Sequence, residues 1–211
     1  MRFSILSGLV ALFVVVGCAT DPAETAPTDA TTDTEEAPSV ADAASGDSGA
    51  SCEVERDQDV PSPGACASIA LGDNTVEVQY SSPRANDREI MGGLVPYGEV
   101  WRTGANEATV LTTDAPLTIG GEVLPAGTYG MFTIPGEAEW TLIFNSVADQ
   151  WGAFEYDESQ DVLRTVATPA AVDAPQEEFS ISFEDASDSA ATMVLAWENT
   201  RVPVSLSASS N

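Results

Sequence analysis

Apolar residues in this chain recur at every second position, in one short run after another. Val76, Val78 and Tyr80 alternate with Thr75, Glu77 and Gln79, and Trp140, Leu142 and Phe144 alternate with Thr141, Ile143 and Asn145. Phe179, Ile181 and Phe183 repeat the pattern, as do Met193, Leu195 and Trp197, and then Val202, Val204 and Leu206. Successive side chains of an extended strand point to opposite faces, so one apolar set at period two predicts antiparallel strands with a single buried face. Leu117–Leu124 reads as a hairpin around Gly120-Gly121, a pair that supplies the positive φ angles of a tight turn. Tyr129–Ile134, Ala108–Thr113 and Val162–Ala167 add further strands. About nine or ten strands joined by short turns predict an all-β fold, an antiparallel β-sandwich of jelly-roll-like type. The pattern places that domain over 67–206, with a disordered tail at 207–211. Helix is expected only in short pieces, over Asp87–Leu94 and Ala148–Phe154.

The region before the domain has a different texture. Met1-Arg2 is followed by an apolar run, Phe3–Val16, that is too short to span a membrane and suits the core of a signal peptide. It ends in Val15-Val16-Gly17-Cys18, which resembles a bacterial lipoprotein box. That resemblance implies a signal peptide over 1–17, lipidation at the Cys18 thiol and a membrane anchor. Ala19 in place of Asp then implies the outer membrane. Residues 18–51 hold almost nothing large and apolar, so they form an acidic disordered tether. Cys52 and Cys66 follow. In an oxidising compartment they are expected to pair, stapling the leading segment 52–66. A closed loop of this size contributes on the order of 3 kcal/mol in the chain-entropy account.

Charge narrows the chemistry. The chain carries 34 acidic and seven basic residues, for a formal net charge of −27, and it has no histidine. All seven basic residues are arginine. Histidine-activated nucleophiles and imidazole-ligated metals are therefore excluded, as are Schiff bases and phosphate-loop lysines. Nucleic acid is excluded as a partner, because phosphate binding needs clustered positive charge. Carboxylate, arginine and tyrosine chemistry remain. The acid surplus reads in two ways, as a surface suited to salty surroundings, where charge repulsion is screened, or as a cation-binding layer.

Against this background Arg84, Arg88 and Arg102 fall close together. They lie within Ser81-Ser-Pro-Arg-Ala-Asn-Asp-Arg88 and Met91-Gly-Gly-Leu-Val-Pro-Tyr-Gly-Glu-Val-Trp-Arg-Thr-Gly-Ala-Asn-Glu-Ala-Thr109. Further blocks are Leu124-Pro-Ala-Gly-Thr-Tyr-Gly130, Phe132-Thr-Ile-Pro-Gly136, and the Gln150-Trp-Gly-Ala, Tyr156-Asp and Asp161-Val-Leu-Arg164 series. In these blocks the chain resembles the bacterial domain of unknown function 2911 family over about residues 70–206. One departure is Asp87, where relatives often carry glycine. The resemblance implies an exported, often lipid-anchored, all-β domain, and it implies no reaction.

The residues themselves leave three readings open. A guanidinium is a planar fork that grips carboxylate or phosphate through two hydrogen bonds. Arg84, Arg88 and Arg102, with Asn106 and Glu107, therefore form a candidate site for a small anionic ligand or an envelope partner. Trp101 and Trp151 offer stacking surfaces for a sugar-like ligand. In the second reading, Glu107 is the acid/base of a carboxylate-based hydrolase acting on envelope glycans. In the third, the motif serves folding alone, each arginine pairing with an acid. No cofactor is expected. Asp157, Glu158 and Asp161 form a candidate calcium loop, although the spacing of a dedicated calcium motif is absent.

Overall fold

The computed structural model describes residues 52–209. Ten strands follow in order: β1 (Gly64–Leu71), β2 (Asn74–Ser81), β3 (Thr109–Thr113), β4 (Leu117–Ile119), β5 (Glu122–Leu124), β6 (Gly127–Ile134), β7 (Trp140–Asn145), β8 (Asp161–Ala167), β9 (Ala170–Glu184) and β10 (Ala190–Ala208). They form a six-stranded sheet, β1-β2-β3-β6-β7-β8, and a four-stranded sheet, β5-β4-β10-β9, with antiparallel pairing throughout. The fold is the expected all-β sandwich. The expected signal peptide, the lipidation site Cys18 and the tether lie outside the described residues.

Alternation places the core as the sequence indicates. β2 buries Val76, Val78 and Tyr80 and leaves Thr75, Glu77 and Gln79 half-buried. Gly120 (φ 58°) and Gly121 (φ 91°) make the hairpin between β4 and β5. β10 is one long strand whose inward set changes parity, from Met193, Leu195 and Trp197 to Val202, Val204 and Leu206. An odd number of extra residues is needed to change parity, and the register with β9 shifts on both sides of Glu198, which has a φ of 51°. At the centre Trp101 stacks on Trp197, with ring centroids 5.9 Å apart and planes 17° apart. Trp140 and Phe179 meet Trp101 edge-on, at 6.3 and 5.3 Å.

Both faces of the larger sheet are covered. Phe132 and Ile143 point away from the inter-sheet core, yet they are fully buried with Ala108 in a second apolar cluster. Val100, Ile134, Ala153 and Tyr156 pack against that cluster, so the loop between β7 and β8 forms a cover on the outer face. A second cover is the leading segment, held by the Cys52–Cys66 disulfide and by Arg56.

Three expectations need correction. Asp87–Leu94 forms turns, because Asn86 and Asp87 are both left-handed (φ 49° and 57°) and Gly92 (φ 86°) breaks the segment again. Ala148–Phe154 also forms turns, with Gly152 at φ 73° and Trp151 bridged to Glu107. The sheets also reach past 67–206. β1 starts at Gly64, and Ser207 and Ala208 pair with Thr118 and Leu117 rather than joining a disordered tail.

Candidate functional site

The segment from Trp101 to Thr109 knits the domain together. Trp101 and Thr133 exchange backbone hydrogen bonds of 2.7 and 2.9 Å, which lays this segment beside β6. Neighbouring residues of an extended chain point to opposite sides, so Trp101 enters the core and Arg102 emerges on the outer face. Trp101 is only 8 % exposed, and its Nε1 donates to the Gly104 carbonyl at 3.1 Å. It is a core residue and offers no stacking surface, a correction to its place in the candidate site.

Thr103 is buried with a φ of 58°, rare for a β-branched residue. It is fixed there by its hydroxyl donating to Thr133 Oγ1 and by its carbonyl accepting from Thr109 Oγ1. Asn106 Nδ2 donates to the Ser62 carbonyl at 3.2 Å, tying the leading segment down. Glu107 is held by Arg56, whose Nη1 donates both to a Glu107 carboxylate oxygen and to its carbonyl, each at 3.3 Å. Asn106 and Glu107 thus act as struts between the leading segment and the sheet.

The three arginines of the motif do not converge. Arg84 pairs with Glu178 on β9 and borders a cavity of about 510 Å³ beside Tyr80 and Phe179. Arg88 donates from Nε to the Ala85 carbonyl (2.9 Å) and from Nη2 to the Arg84 carbonyl (2.6 Å). It borders a separate cavity of about 410 Å³ among Asp87, Glu89, Glu177 and Glu198. Neither cavity includes Arg102. Arg164 and Arg201 are also paired, with Asp161 and Glu158 and with Glu184.

Arg102 is the exception. Its carbonyl accepts from the Thr109 amide at 3.1 Å, but its side chain makes no hydrogen bond or ion pair with any described residue. Its Nε is buried without a partner, and burial pushes the guanidinium below its usual value, although an arginine stays charged. Its terminal nitrogens are not among the buried unpaired atoms, so they reach the surface. The Arg102 side chain lies against the β7–β8 loop. A Cβ built on Gly152 would come within 3.9 Å of Arg102 Cδ and 3.1 Å of the Phe154 ring. Gly152, with its positive φ, thus lets Arg102 and Phe154 close around one point.

That loop holds two aromatic rings out to solvent. Trp151 is 61 % exposed and Phe154 is 88 % exposed. The loop is well anchored. The Ala108 amide donates to the Gln150 carbonyl (2.9 Å), Gln150 Nε2 to the Val147 carbonyl (2.7 Å), and Asn145 Nδ2 to the Asp157 carbonyl (3.0 Å). Gln150 is 4 % exposed, and its Oε1 has no partner among the described residues.

The candidate calcium loop has a structural role. Asp161 accepts from Asn145 Nδ2 (2.8 Å), Tyr156 Oη (2.7 Å) and Arg164 Nε (2.8 Å), and Asp157 caps a short 3₁₀ turn, Glu158–Gln160. Burial, and then the hydrogen bond to the Asp161 carboxylate, push the Tyr156 phenol up to about 12. Because the folded value lies above the unfolded one, this contribution to stability is complete below about pH 10 and is lost as pH rises through about 12. Phenolate absorbance of Tyr156→Phe, subtracted from that of the parent, should isolate one tyrosine ionising near 12. A difference curve centred near 10 would refute the assignment.

Residue pattern alone did not single out Arg56, Gln150 or Phe154. For Arg56 a signal exists, since it is the only cation between the two cysteines. Phe154 carries none, because an exposed and a buried phenylalanine look alike in a sequence.

The chain matches the model of a family described as protein of unknown function (DUF2911) over residues 62–206. No curated protein and no solved structure matches it.

Proposed function

Since the chain belongs to the DUF2911 family, a membership that brings no reaction with it, we propose on physical grounds that it is an exported, lipid-anchored binding protein of the bacterial envelope. Its non-catalytic β-sandwich takes a small anionic ligand or envelope partner at the face formed by Arg102, Trp151 and Phe154. One observation carries the reading. In an acid-rich domain whose other described arginines all have hydrogen-bonded side chains, the Arg102 side chain has no partner among the described residues and lies against the β7–β8 loop, which exposes Trp151 and Phe154. An unpaired, half-buried guanidinium is costly unless something else satisfies it. The hydrolase reading loses support because Glu107 is tied to Arg56. The folding-only reading fits Trp101, Thr103, Asn106 and Glu107, and fails for Arg102.

The test is a thermal-shift screen of the full chain against sugars, organic acids and phosphates. A ligand at about a hundred times its Kd stabilises the folded state by about 2.7 kcal/mol. Arg102→Ala should abolish the shift, and Arg84→Ala should keep it. A shift that survives Arg102→Ala would place the site elsewhere, and glycan turnover that disappears in Glu107→Gln would restore the hydrolase. The anchor rests on the box ending at Cys18, and Cys18→Ser should move the protein out of the membrane fraction.

A further inference from the structure

Resting on that reading of the face, we propose that its ligand is an acidic saccharide: a pyranose unit that carries a carboxylate and belongs to a longer chain. The carboxylate is taken by Arg102 and the ring lies on Trp151 and Phe154.

Shape, charge and rigidity favour this class. The two cavities of about 410 and 510 Å³ lie away from this face and contain neither Arg102 nor any residue of the β7–β8 loop. An apolar ligand needs a pocket that surrounds most of its surface. A sugar does not, because one C–H face stacks on an aromatic ring while its hydroxyl edges stay hydrated. A projecting pair of rings, Trp151 at 61 % and Phe154 at 88 % exposure, suits such one-sided contact. It also suits a position along a polymer rather than a molecule enclosed on all sides.

Among the described residues Arg102 is the one arginine whose side chain is unpaired, in a chain of formal charge −27. A guanidinium edge matches one carboxylate in two-point geometry. Phosphate-rich polymers are disfavoured, since a polyanion needs several cations and the other described arginines are already bonded. The anchoring of the loop to Ala108 and Asn145 keeps the rings in place before the ligand arrives, which reduces the ordering cost of binding.

The protein contains its own reporter. Of the four tryptophans, Trp101, Trp140 and Trp197 are buried, so Trp151 is the one indole whose emission a ligand on this face can change. The full chain is titrated with tetragalacturonate, cellotetraose and acetate while tryptophan emission and acrylamide quenching are followed. Tetragalacturonate should shift the emission to shorter wavelength and protect Trp151 from quenching, with cellotetraose and acetate far weaker. Arg102→Gln should weaken tetragalacturonate binding about 10- to 100-fold, the range of a lost charge-assisted hydrogen bond. Phe154→Ala should weaken it about tenfold with emission still reporting.

Equal binding of cellotetraose would overturn the acidic class while leaving the face in place. Equal binding of acetate would overturn the stacking while leaving Arg102 as an anion site. Silence from every probe would overturn this proposal while leaving the reading beneath it to the thermal-shift screen, and binding indifferent to Arg102→Gln would overturn both. Affinity that falls steeply with added salt would mean that several cations are engaged, which a site built on Arg102 alone does not allow.

Discussion

Replacing Trp101 with alanine is expected to lower the unfolding free energy by about 3–5 kcal/mol, the range for deleting a buried large aromatic side chain. Trp101 stacks on Trp197 and meets Trp140 and Phe179 edge-on, so its loss opens a cavity shared by both sheets. Its Nε1 hydrogen bond to the Gly104 carbonyl is lost as well. The neighbouring Arg102→Ala should be far milder, because the side chain it removes has no hydrogen-bond or ion-pair partner among the described residues. Urea unfolding curves of the two variants, at constant slope, measure the contrast. If Trp101→Ala costs no more than Arg102→Ala, the placement of Trp101 at the centre of the core is wrong.

A second large effect is expected at Arg56. Its Nη2 donates to the Ala108 carbonyl at 2.5 Å and the Gln79 carbonyl at 3.3 Å, and its Nη1 to Ser81 Oγ at 3.4 Å and to Glu107. The side chain is 11 % exposed, and burial pushes the guanidinium below its usual value, with Glu107 acting in the opposite direction. Arg56→Ala leaves these acceptors without their donor and is expected to cost about 2–4 kcal/mol. Arg56→Lys should recover little, since one ammonium cannot reproduce a fork that spans β2 and the start of β3. Limited proteolysis reads the local consequence: cleavage within 53–63 should rise sharply in Arg56→Ala before the sheets are attacked. Stability and cleavage both unchanged would mean that the disulfide and the Asn106–Ser62 hydrogen bond hold the leading segment without Arg56.

Alternation made most of the sandwich legible, and its exceptions were informative as well. Ile143 is apolar at an outward position, and that irregularity corresponds to the second apolar cluster beneath the β7–β8 loop. The parity change between Trp197 and Val202 corresponds to the irregular register around Glu198. β1 was only partly legible, because Gly64, Ala65, Cys66, Ala67 and Ser68 give little contrast between faces. The site was harder to read. Trp101 and Trp151 both sit among polar neighbours in the sequence, and what separates them is which backbone they pair with: Thr133 in one case, Glu107 in the other. That pairing is non-local. The arginine cluster failed for the same reason, since nearness in sequence put Arg84, Arg88 and Arg102 in one motif, while the fold sets Arg84 and Arg88 at cavities beside β9 and the Arg102 side chain against the β7–β8 loop.

The covalent link between Cys52 and Cys66 also has a mechanical meaning. A pull arriving from the N-terminal side reaches Cys52 and passes through the sulfur bridge directly into β1. The segment 53–63 then lies outside the line of tension. The contacts it makes, from Arg56 to Glu107 and from Asn106 to Ser62, are shielded from that load. A domain tugged at its leader can therefore keep the scaffold around Arg102 undisturbed.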